Sequence, residues 1–580
     1  MSGNGVILER LSGKKLSVLV TILFIAQILF FLIGALKFPN ATHTETVEGI
    51  MCKDRNAYKR KGAKIENEFF YLRDYLGRPL ANCERIEADQ HNNIILNTKQ
   101  KEIVYAFQIP LPRDNKVLKL YRWFQTMSSI LQLQVVFPPK IQNKLKNLEL
   151  NETGVSHMIP LDIRLAYHNT DDLDDIWHEM ARGEVNKKFT CFRNPYSLDC
   201  DMIELFELGS VHHQFYGINI RLGESEIVNS LNYHDESAQN FYLTSELPEV
   251  RLVLTFIYQT GGFTQMWFIM KSCMFPLVLF VMIWYWNRIV NLDRESNLLE
   301  RILFALGISL CLLNMPVEWL TLHFDLKWMT LYTDLRQGIF YSILFTFWIV
   351  FCGEHFIDEN QISACPNIKS YWRYVGAVWL GCFCLLVFEL SHRGMQLSDP
   401  FYSIWDSTSG HNLATAMILV ACASGLFYFG LLLYLVGKVY LNLRSKKSQL
   451  PSMNRMRRAF YEGIIYRFQF LMVYTIFCAA LSIAFFIVNN INETQWRFGD
   501  EETYFNYSGA FFTSVYGMWN IYVIAVMIFY APSHKNKTIA KHYEQDQSEE
   551  IEFVNIETRL TNKGTHESVL AEFATKMASN

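Results

Sequence analysis

One short stretch, FCGEHFIDE at residues 351 to 359, holds four side chains that are able to bind a metal ion. They are Cys352, Glu354, His355 and Asp358. Zinc sites usually draw their ligands from two separate groups, and the sequence offers no second group. A helix end in water explains these residues more simply, so no metal site is predicted.

Motifs that carry enzyme mechanisms are missing from the sequence. It contains no Gly-x-Gly-x-x-Gly, Walker loop, His-Glu-x-x-His or Gly-x-Ser-x-Gly, each of which would indicate a particular chemistry. An enzyme is therefore the least supported class of function, and no cofactor is predicted.

Polar residues inside apolar segments are more informative. Asn314 and Glu318 share one face of a predicted helix, Asp334 and Arg336 precede the next, and Glu389 lies near one end of another. A charged side chain that faces lipid is costly, so these residues must face protein, a cavity or the headgroup region. Two interpretations stay open: hydrogen bonds between helices, or the polar rim of a cavity with an apolar floor.

Two neighbouring features bear on that choice. Pro316 breaks the helix beside Glu318, and carbonyls freed by such a break can be satisfied at a cavity. The aromatic stretch DPFYSIWD adds Phe401, Tyr402 and Trp405 at the same predicted depth, where an interfacial aromatic belt is an equally good explanation.

The elements that position these residues are membrane helices. The 580 residues are 51% hydrophobic, 15% aromatic and only 19% charged, and the net charge of -3 gives no sign of nucleic-acid binding. Residues 16–36 form an apolar run too long for a cleavable signal, so we predict an uncleaved helix. Seven further spans are predicted at about 267–286, 302–322, 338–353, 372–391, 411–437, 468–488 and 509–531.

The distribution of basic residues predicts the orientation. Residues 438–467 are rich in Lys and Arg, whereas 489–508 contain only Arg497, so the former connection is predicted to be cytosolic. Both termini then lie in the cytosol, residues 1–15 being the N-terminus. Residues 37–266 form a lumenal domain, 267–531 a seven-helix membrane domain, and the polar residues 532–580 a disordered cytosolic tail.

Cysteines and glycosylation sequons agree with this topology. The lumenal segment holds four cysteines, whose nearest pairs suggest Cys52–Cys83 and Cys191–Cys200, although three pairings are possible. Four sequons also fall on the predicted lumenal side, at Asn40, Asn151, Asn492 and Asn506.

The lumenal segment has the pattern of strands. IPLDIRLAYH places Ile159, Leu161, Ile163, Leu165 and Tyr167 on one face, the period expected of a half-buried strand. EIVYAFQIPLP, ILQLQVVFPP, FYGINIRL and RLVLTFIY are similar, which favours an antiparallel β-sandwich, with LDDIWHEMA as a short helix. Four acids, Asp171, Asp172, Asp174 and Asp175, are able to bind a cation, but acids before a helix more often stabilise its N-terminus.

A sorting signal is predicted in the basic connection. YEGI, from Tyr461 to Ile464, has the form read by adaptor complexes that gather cargo for endocytosis: a tyrosine, two residues and a bulky apolar residue. An interfacial tyrosine in the first turn of a helix is the alternative.

Several longer stretches resemble the Wntless family of Wnt cargo receptors, in order and spacing. They are LERILFALGISLCLLNMPVEWLTLHFD, DLRQGIFYS, FWIVFCGEH, DPFYSIW, YEGIIYRFQFLM and GMWNIYVIAVMIFYAPSHKN, with IPLP, WFQTMSSILQLQ and GGFTQMWFIMK before them. The likeness runs from the first helix to about residue 536. Beyond it no motif matches, so retrieval to the endoplasmic reticulum is not predicted.

The resemblance implies a fold and a function. The fold is a lumenal β-sandwich with eight transmembrane helices, the last seven receptor-like. The function is to bind an acylated Wnt protein in the secretory pathway, shelter its acyl chain, carry it to the cell surface, and recycle by endocytosis. The resemblance implies residence in endoplasmic reticulum, Golgi, endosomes and plasma membrane, with clathrin adaptors, retromer and membrane lipids as further partners. Asn314, Glu318, Asp334, Arg336, Phe401, Tyr402 and Trp405 are candidates for the mouth of the acyl cavity, and Tyr461 and Ile464 match the sorting signal.

Two other functions remain as alternatives. A ligand-activated seven-helix signalling receptor would have the same arrangement, but the third of the seven helices lacks an acid-Arg-Tyr triplet and the last lacks Asn-Pro-x-x-Tyr. A transporter would use Glu318, Asp334 or Glu389 as ion sites, but no internal repeat is visible.

Overall fold

A computed structural model gives the fold as a β-domain joined to a bundle of long helices. It describes residues 6–10, 13–53, 103–110, 119–136, 155–170, 177–193, 197–222, 249–291, 296–355, 368–449, 451, 455–494 and 507–532. The predicted tail at 532–580 lies outside these residues apart from Pro532, as does the acidic cluster at 171–175.

The β-domain has ten strands in its described part, and every strand pair is antiparallel. The strands are β1 Thr42–Glu48, β2 Ile50–Lys53, β3 Ile103–Ile109, β4 Met127–Val136, β5 Val155–His168, β6 His178–Arg193, β7 Ser197–Cys200, β8 Ile203–Leu208, β9 Phe215–Leu222 and β10 Glu249–Gln259. They follow one hydrogen-bonded path, β1-β10-β4-β7-β6-β5-β9-β3-β2, with β8 also paired to β4. The predicted antiparallel β-domain is confirmed, although its strands belong to one continuous sheet around a main core, with a small second cluster at Cys52, Val104 and Ala106.

The alternation predicted from the sequence matches the burial as far as Leu165; a bulge between Leu165 and Ala166 then shifts the pattern, and Tyr167 is only partly buried. Ile159, Leu161, Ile163 and Leu165 are each at most 1% exposed and belong to one apolar core. Side chains of a strand point alternately to opposite faces, so this period of two turns one face inward. The strands predicted in the four similar stretches are also present, as β3, β4, β9 and β10.

One local prediction was wrong. The segment LDDIWHEMA was expected to be a short helix, but residues from His178 onward belong to strand β6. That strand pairs with β5 from Val155 to Tyr167. Long-range pairing along a neighbouring strand outweighs a weak local preference for helix.

The helices are α1 Ile7–Arg10, α2 Gly13–Lys37, α3 Gly261–Val290, α4 Leu298–Asn314, α5 Met329–Glu354, α6 Ile368–Gln396, α7 Thr408–Gln449, α8 Arg455–Thr494 and α9 Tyr507–Phe529. A 3-10 helix, Val317–Leu322, follows α4. Seven helices in the described part are long and apolar enough to cross a membrane, namely α2 to α7, with the 3-10 helix extending α4, and α9. Helix α8 covers the predicted span 468–488, but the described apolar stretch in it is only Phe468–Cys478, so the eighth crossing stays a prediction.

The β-domain connects directly to two of these helices. Helix α2 leads into β1, β10 leads into α3, and Thr42 of β1 pairs with Gln259 of β10. The Phe38 and Phe263 rings pack at 5.6 Å where the two connections meet. A Cβ at Gly262 would lie 2.9 Å from Pro39, so glycine permits this close approach. We call the end of the bundle that meets the β-domain the near end, and the opposite one the far end.

Candidate functional site

A buried ion cluster lies at the near end of the bundle, around Glu318 of the 3-10 helix. Lys271 Nζ of α3 donates to Glu318 Oε1 at 2.6 Å, and Arg336 Nη2 of α5 donates to the same oxygen at 2.5 Å. The three side chains are between 3% and 9% exposed. A buried carboxylate is tolerated when charges and hydrogen bonds surround it. Glu318 therefore ties three elements together.

Pro316 explains why Arg336 is needed there. Helix α4 ends at Asn314, just before this proline, which can neither donate a backbone hydrogen bond nor continue the helix. Arg336 Nη1 donates to the carbonyl of Met315 at 2.9 Å, and Leu312 O lies 3.5 Å away. The freed carbonyls are thus satisfied by a side chain, as groups at a broken membrane helix must be.

Asn314 belongs to a second network, shared with the last helix. Its Nδ2 donates to Asn520 Oδ1 at 2.6 Å, and the Tyr516 hydroxyl donates to Asn314 Oδ1. Asn314 and Asn520 are fully buried. Of the two interpretations left open by the sequence, hydrogen bonding between helices describes both Asn314 and Glu318 in this structure. A place for either residue at the mouth of a cargo cavity stays a prediction.

Asp334 lies in a different place from Arg336, although only Leu335 separates them in the sequence. Its Oδ2 lies 3.1 Å from Nε of Arg393, which also contacts Glu389 at 3.1 Å within α6. Nη1 of the same arginine donates to Glu207 of β8 at 2.9 Å. Arg393 thus joins two membrane helices to the β-domain.

The three aromatic residues predicted between α6 and α7 also lie in different surroundings. Phe401 is 1% exposed and lies in the core of the β-domain, edge-on to Phe206 and against Gly183. Tyr402 is half-buried, and its carbonyl accepts from Gln396 at 3.2 Å. Trp405, by contrast, is exposed and lies beside Phe388 of α6. Phe401 anchors the β-domain, and Trp405 faces outward.

A cleft of about 250 Å³ opens at this junction of β-domain and bundle. Its charged lining residues are Arg182, Glu207, Lys327, Arg393 and Asp399. Both signs of charge are present, which suits a polar partner better than an acyl chain. The cleft is therefore a candidate site for a polar ligand.

Further ion pairs fix the rim of the same junction. Lys187 of β6, 3% exposed, contacts Asp406 at 2.5 Å. His212 Nε2 lies 3.8 Å from Asp325, in the loop before α5. Burial lowers the pKa of His212 from its ordinary value; Asp325 acts against this shift, and Arg122 adds to it. The neutral imidazole is thus favoured while the two parts are docked.

The remaining predicted residues have varied outcomes. Cys191 and Cys200 form the expected disulfide, while Cys52 is disulfide-bonded and its predicted partner Cys83 lies outside the described residues. Asn40 is exposed just after α2 and Asn492 lies in α8, whereas Asn151 and Asn506 are outside the described residues. Tyr461 and Ile464 lie in the first turns of α8.

The prediction that FCGEH is a helix end exposed to water is wrong for two of its residues. Cys352 is fully buried and His355 is 5% exposed, its ring 4.1 Å from that of Phe351. Neighbouring helices cover this end of α5, which the local sequence does not indicate. No cluster of three metal-ligating side chains occurs in the described part of the chain, and Asp358 lies outside it.

Sequence reasoning missed the partners of the candidate residues. Lys271 is a cation within an apolar segment, and its rarity there was a usable signal. Asn520 and Tyr516 gave a weaker one, because amides and tyrosines are common between packed membrane helices. Lys187 and Glu207 are unremarkable strand residues, and nothing local marks them.

Comparison with known proteins covers both parts of the chain. The family model described as Wntless-like, transmembrane domain, matches residues 260–534, and that described as Wntless, GOLD domain, matches residues 51–245. The protein wntless homolog of Gallus gallus is 40% identical over 94% of this chain and 93% of its own length. The Homo sapiens homolog is 39% identical over the same shares, and protein wntless of Drosophila mojavensis is 37% identical over 95% and 96%.

Proposed function

The chain belongs to the Wntless family, which has a role in Wnt transport, and we propose that it is a receptor that carries lipidated Wnt proteins to the cell surface. Its substrate would be a Wnt protein with an acyl chain, and no covalent chemistry would be needed. The observation that carries the proposal is the near end of the bundle, which has a polar cleft against the β-domain and, separately, a membrane helix broken at Pro316.

A physical need supports a carrier of this kind. An acyl chain of about sixteen carbons contributes about 0.8 kcal/mol for each buried methylene, so an exposed chain would hold its protein on a membrane or aggregate it. A receptor that shelters the chain among apolar helices and holds the protein part at a polar surface removes both hazards. The apolar bundle and the charged cleft are suited to these two tasks.

The candidate residues divide between the two tasks. Asp334 and Tyr402 contact Arg393 and Gln396, which line the cleft, and Phe401 follows the lining residue Pro400. The three would hold the β-domain in register beside the cargo protein, with Phe401 buried in its core. Asn314, Glu318 and Arg336 would keep the broken end of α4 in place above the acyl chain. Trp405, exposed beside α6, would stand where the chain enters from the lipid.

The orientation follows from the same proposal. The β-domain would face the lumen or the cell exterior, and the far end would face the cytosol with both termini. The connection between α7 and α8 then presents basic residues to the cytosolic leaflet. Tyr461 and Ile464 would be read there by clathrin adaptors, and retromer would return the receptor from endosomes.

Co-purification tests cargo binding. The detergent-solubilised protein is captured with an acylated Wnt protein, and in parallel with the same Wnt protein whose acylated serine is alanine. We expect retention of the lipidated form only. Equal retention of both forms would contradict a lipid-sheltering role and leave recognition to the β-domain.

A matched pair of variants locates the site. Ser210 lines the cleft, and Ser210→Trp should lower the retention of lipidated Wnt protein by filling it. Lys188→Trp, on an exposed position of β6, should retain cargo like the unmodified chain. Equal retention by both variants would remove the cleft from the proposal.

Surface labelling tests recycling. With Tyr461→Ala, the receptor should accumulate at the cell surface and later Wnt secretion should fall, because the adaptor no longer finds the tyrosine that it binds. Unchanged surface levels would exclude the sorting role.

A further inference from the structure

The far end of the bundle is closed by the chain's own N-terminal segment. Val6 forms an antiparallel bridge with Pro532, and the Ile7 amide donates to the carbonyl of Ala531 at 3.1 Å. Arg288, at the end of α3, donates to the carbonyl of Pro532 at 3.0 Å. Carbonyls at the end of a helix lack intrahelical donors. The segment and Arg288 therefore supply donors just beyond the end of α9.

Side-chain burial makes this contact a true packing interaction. Leu8 is 0% exposed and Val6 8%, and both belong to the apolar core of the bundle. The first residues of most chains are poorly ordered unless something ties them down. Here residues 6 to 8 have become part of the bundle core.

The segment lies level with the start of α8. The rings of Phe468 and Tyr530 both lie within 6.0 Å of the Phe351 ring, so they share one depth in the bundle. Ile7 bonds to the residue after Tyr530, and Ile465 lies one turn before Phe468 toward the same end. Helix α1 contacts both α8 and α9. The segment is therefore beside the turn that contains residues 461–464.

We propose that the far ends of α3, α8 and α9 form a docking surface for residues 6–10, and that docking withholds the signal from Tyr461 to Ile464 until this segment leaves. The inference rests on the sorting role assigned to these two residues under the proposed function. It adds a control that depends on the chain's own N-terminus.

The conformation of the signal gives the physical reason. Residues 461–464 are helical, and an ion pair between Arg458 and Glu462 at 2.9 Å bridges this turn. Short linear signals that add to a sheet edge must be extended. A helix end that is packed on one side by a buried segment opens less often than a free one. Loss of Leu8 packing should therefore expose the signal.

Thiol labelling tests docking on the purified chain. Cys352 is fully buried near the far end, whereas Cys311 is buried near the end of α4 at the β-domain side. In Leu8→Ala, the rate of Cys352 alkylation should rise about tenfold or more, because large-to-small core substitutions raise the open population by such factors. Labelling at Cys311 should stay unchanged, with each site read separately by mass spectrometry.

Matched variants keep this test interpretable. Leu8→Met preserves volume and should label like the unmodified chain, as should Lys15→Ala at an exposed position. Val6→Ala is a smaller truncation in the same segment and provides the test if the Leu8→Ala chain is retained inside the cell. Wild-type labelling of Cys352 in both truncations would overturn the docking surface.

Internalisation from the cell surface tests the control of the signal. Leu8→Ala should internalise about threefold faster or more, as a larger open population predicts, and adding Tyr461→Ala should abolish the gain. Faster labelling without faster internalisation would overturn the proposal that docking controls the sorting signal. If Tyr461→Ala alone internalises normally, the sorting role fails and the control with it, while labelling still decides the docking.

Discussion

Replacing Glu318 should destabilise the bundle far more than replacing Lys271 beside it. Glu318 is the one anion between two buried cations, Lys271 and Arg336, at 2.6 and 2.5 Å. Glu318→Gln would leave both cations without a counter-charge, and breaking a buried pair in this way costs about 3–5 kcal/mol. Lys271→Met instead leaves a balanced Glu318–Arg336 pair and keeps an apolar stem, for a cost of about 1 kcal/mol.

These energies translate into melting temperatures. With about 2–4 °C for each kcal/mol in a domain of this size, Glu318→Gln should lower the melting temperature by about 10 °C and Lys271→Met by about 3 °C. Arg336→Met should fall between them, because the Lys271–Glu318 pair survives but the carbonyl of Met315 loses one of its two donors and keeps only the Val317 amide.

The assay is the fraction of monodisperse protein after heating in one detergent, measured by size-exclusion chromatography. Lys14→Met, at an exposed position, is the control for loss of a cation. Two results would refute the role of Glu318 as the shared anion. One is a melting temperature for Lys271→Met below that of Glu318→Gln. The other is a melting temperature for Glu318→Gln within about 2 °C of the unmodified chain, which corresponds to about 1 kcal/mol or less.

Three further changes test other parts of the molecule. Phe401→Ala should cost about 3–5 kcal/mol by opening a cavity in the β-domain core, seen as a lower melting temperature, and an unchanged melting temperature would contradict its burial there. Burial lowers the pKa of His212 although Asp325 faces it, so the undocked state binds protons more readily; docking should weaken as the pH falls through 6.5 toward the lowered pKa. The melting temperature between pH 7.5 and 5.5 should show this loss, and His212→Gln should reduce it. Gly34→Ala should disrupt the contact of α2 with α9, since its Cβ would meet a backbone carbonyl at 2.7 Å, whereas Gly425→Ala, with open space around it, should fold normally as judged by surface expression.

Short-range features of the fold were predictable because they depend on local physics. An apolar run of membrane length and a strand that alternates burial can each be read directly from the chain, as α2 and β5 show. The Cys191–Cys200 bond joins residues nine apart in sequence, so proximity along the chain favoured it.

Membrane helices, an antiparallel β-domain and the polar residues that need an explanation were all predictable from the order of amino acids. The partners of those polar residues depend on how the chain packs. Asp334 and Arg336, two residues apart, point about 200° apart around a helix, so one meets Arg393 and the other Glu318. Phe401, which the sequence placed at the membrane interface, lies in the core of the β-domain. Patterns of burial are local, but the partner of a buried charge is whichever group the packed chain brings near: 47 residues away for Glu318 and Lys271, and 219 for Lys187 and Asp406.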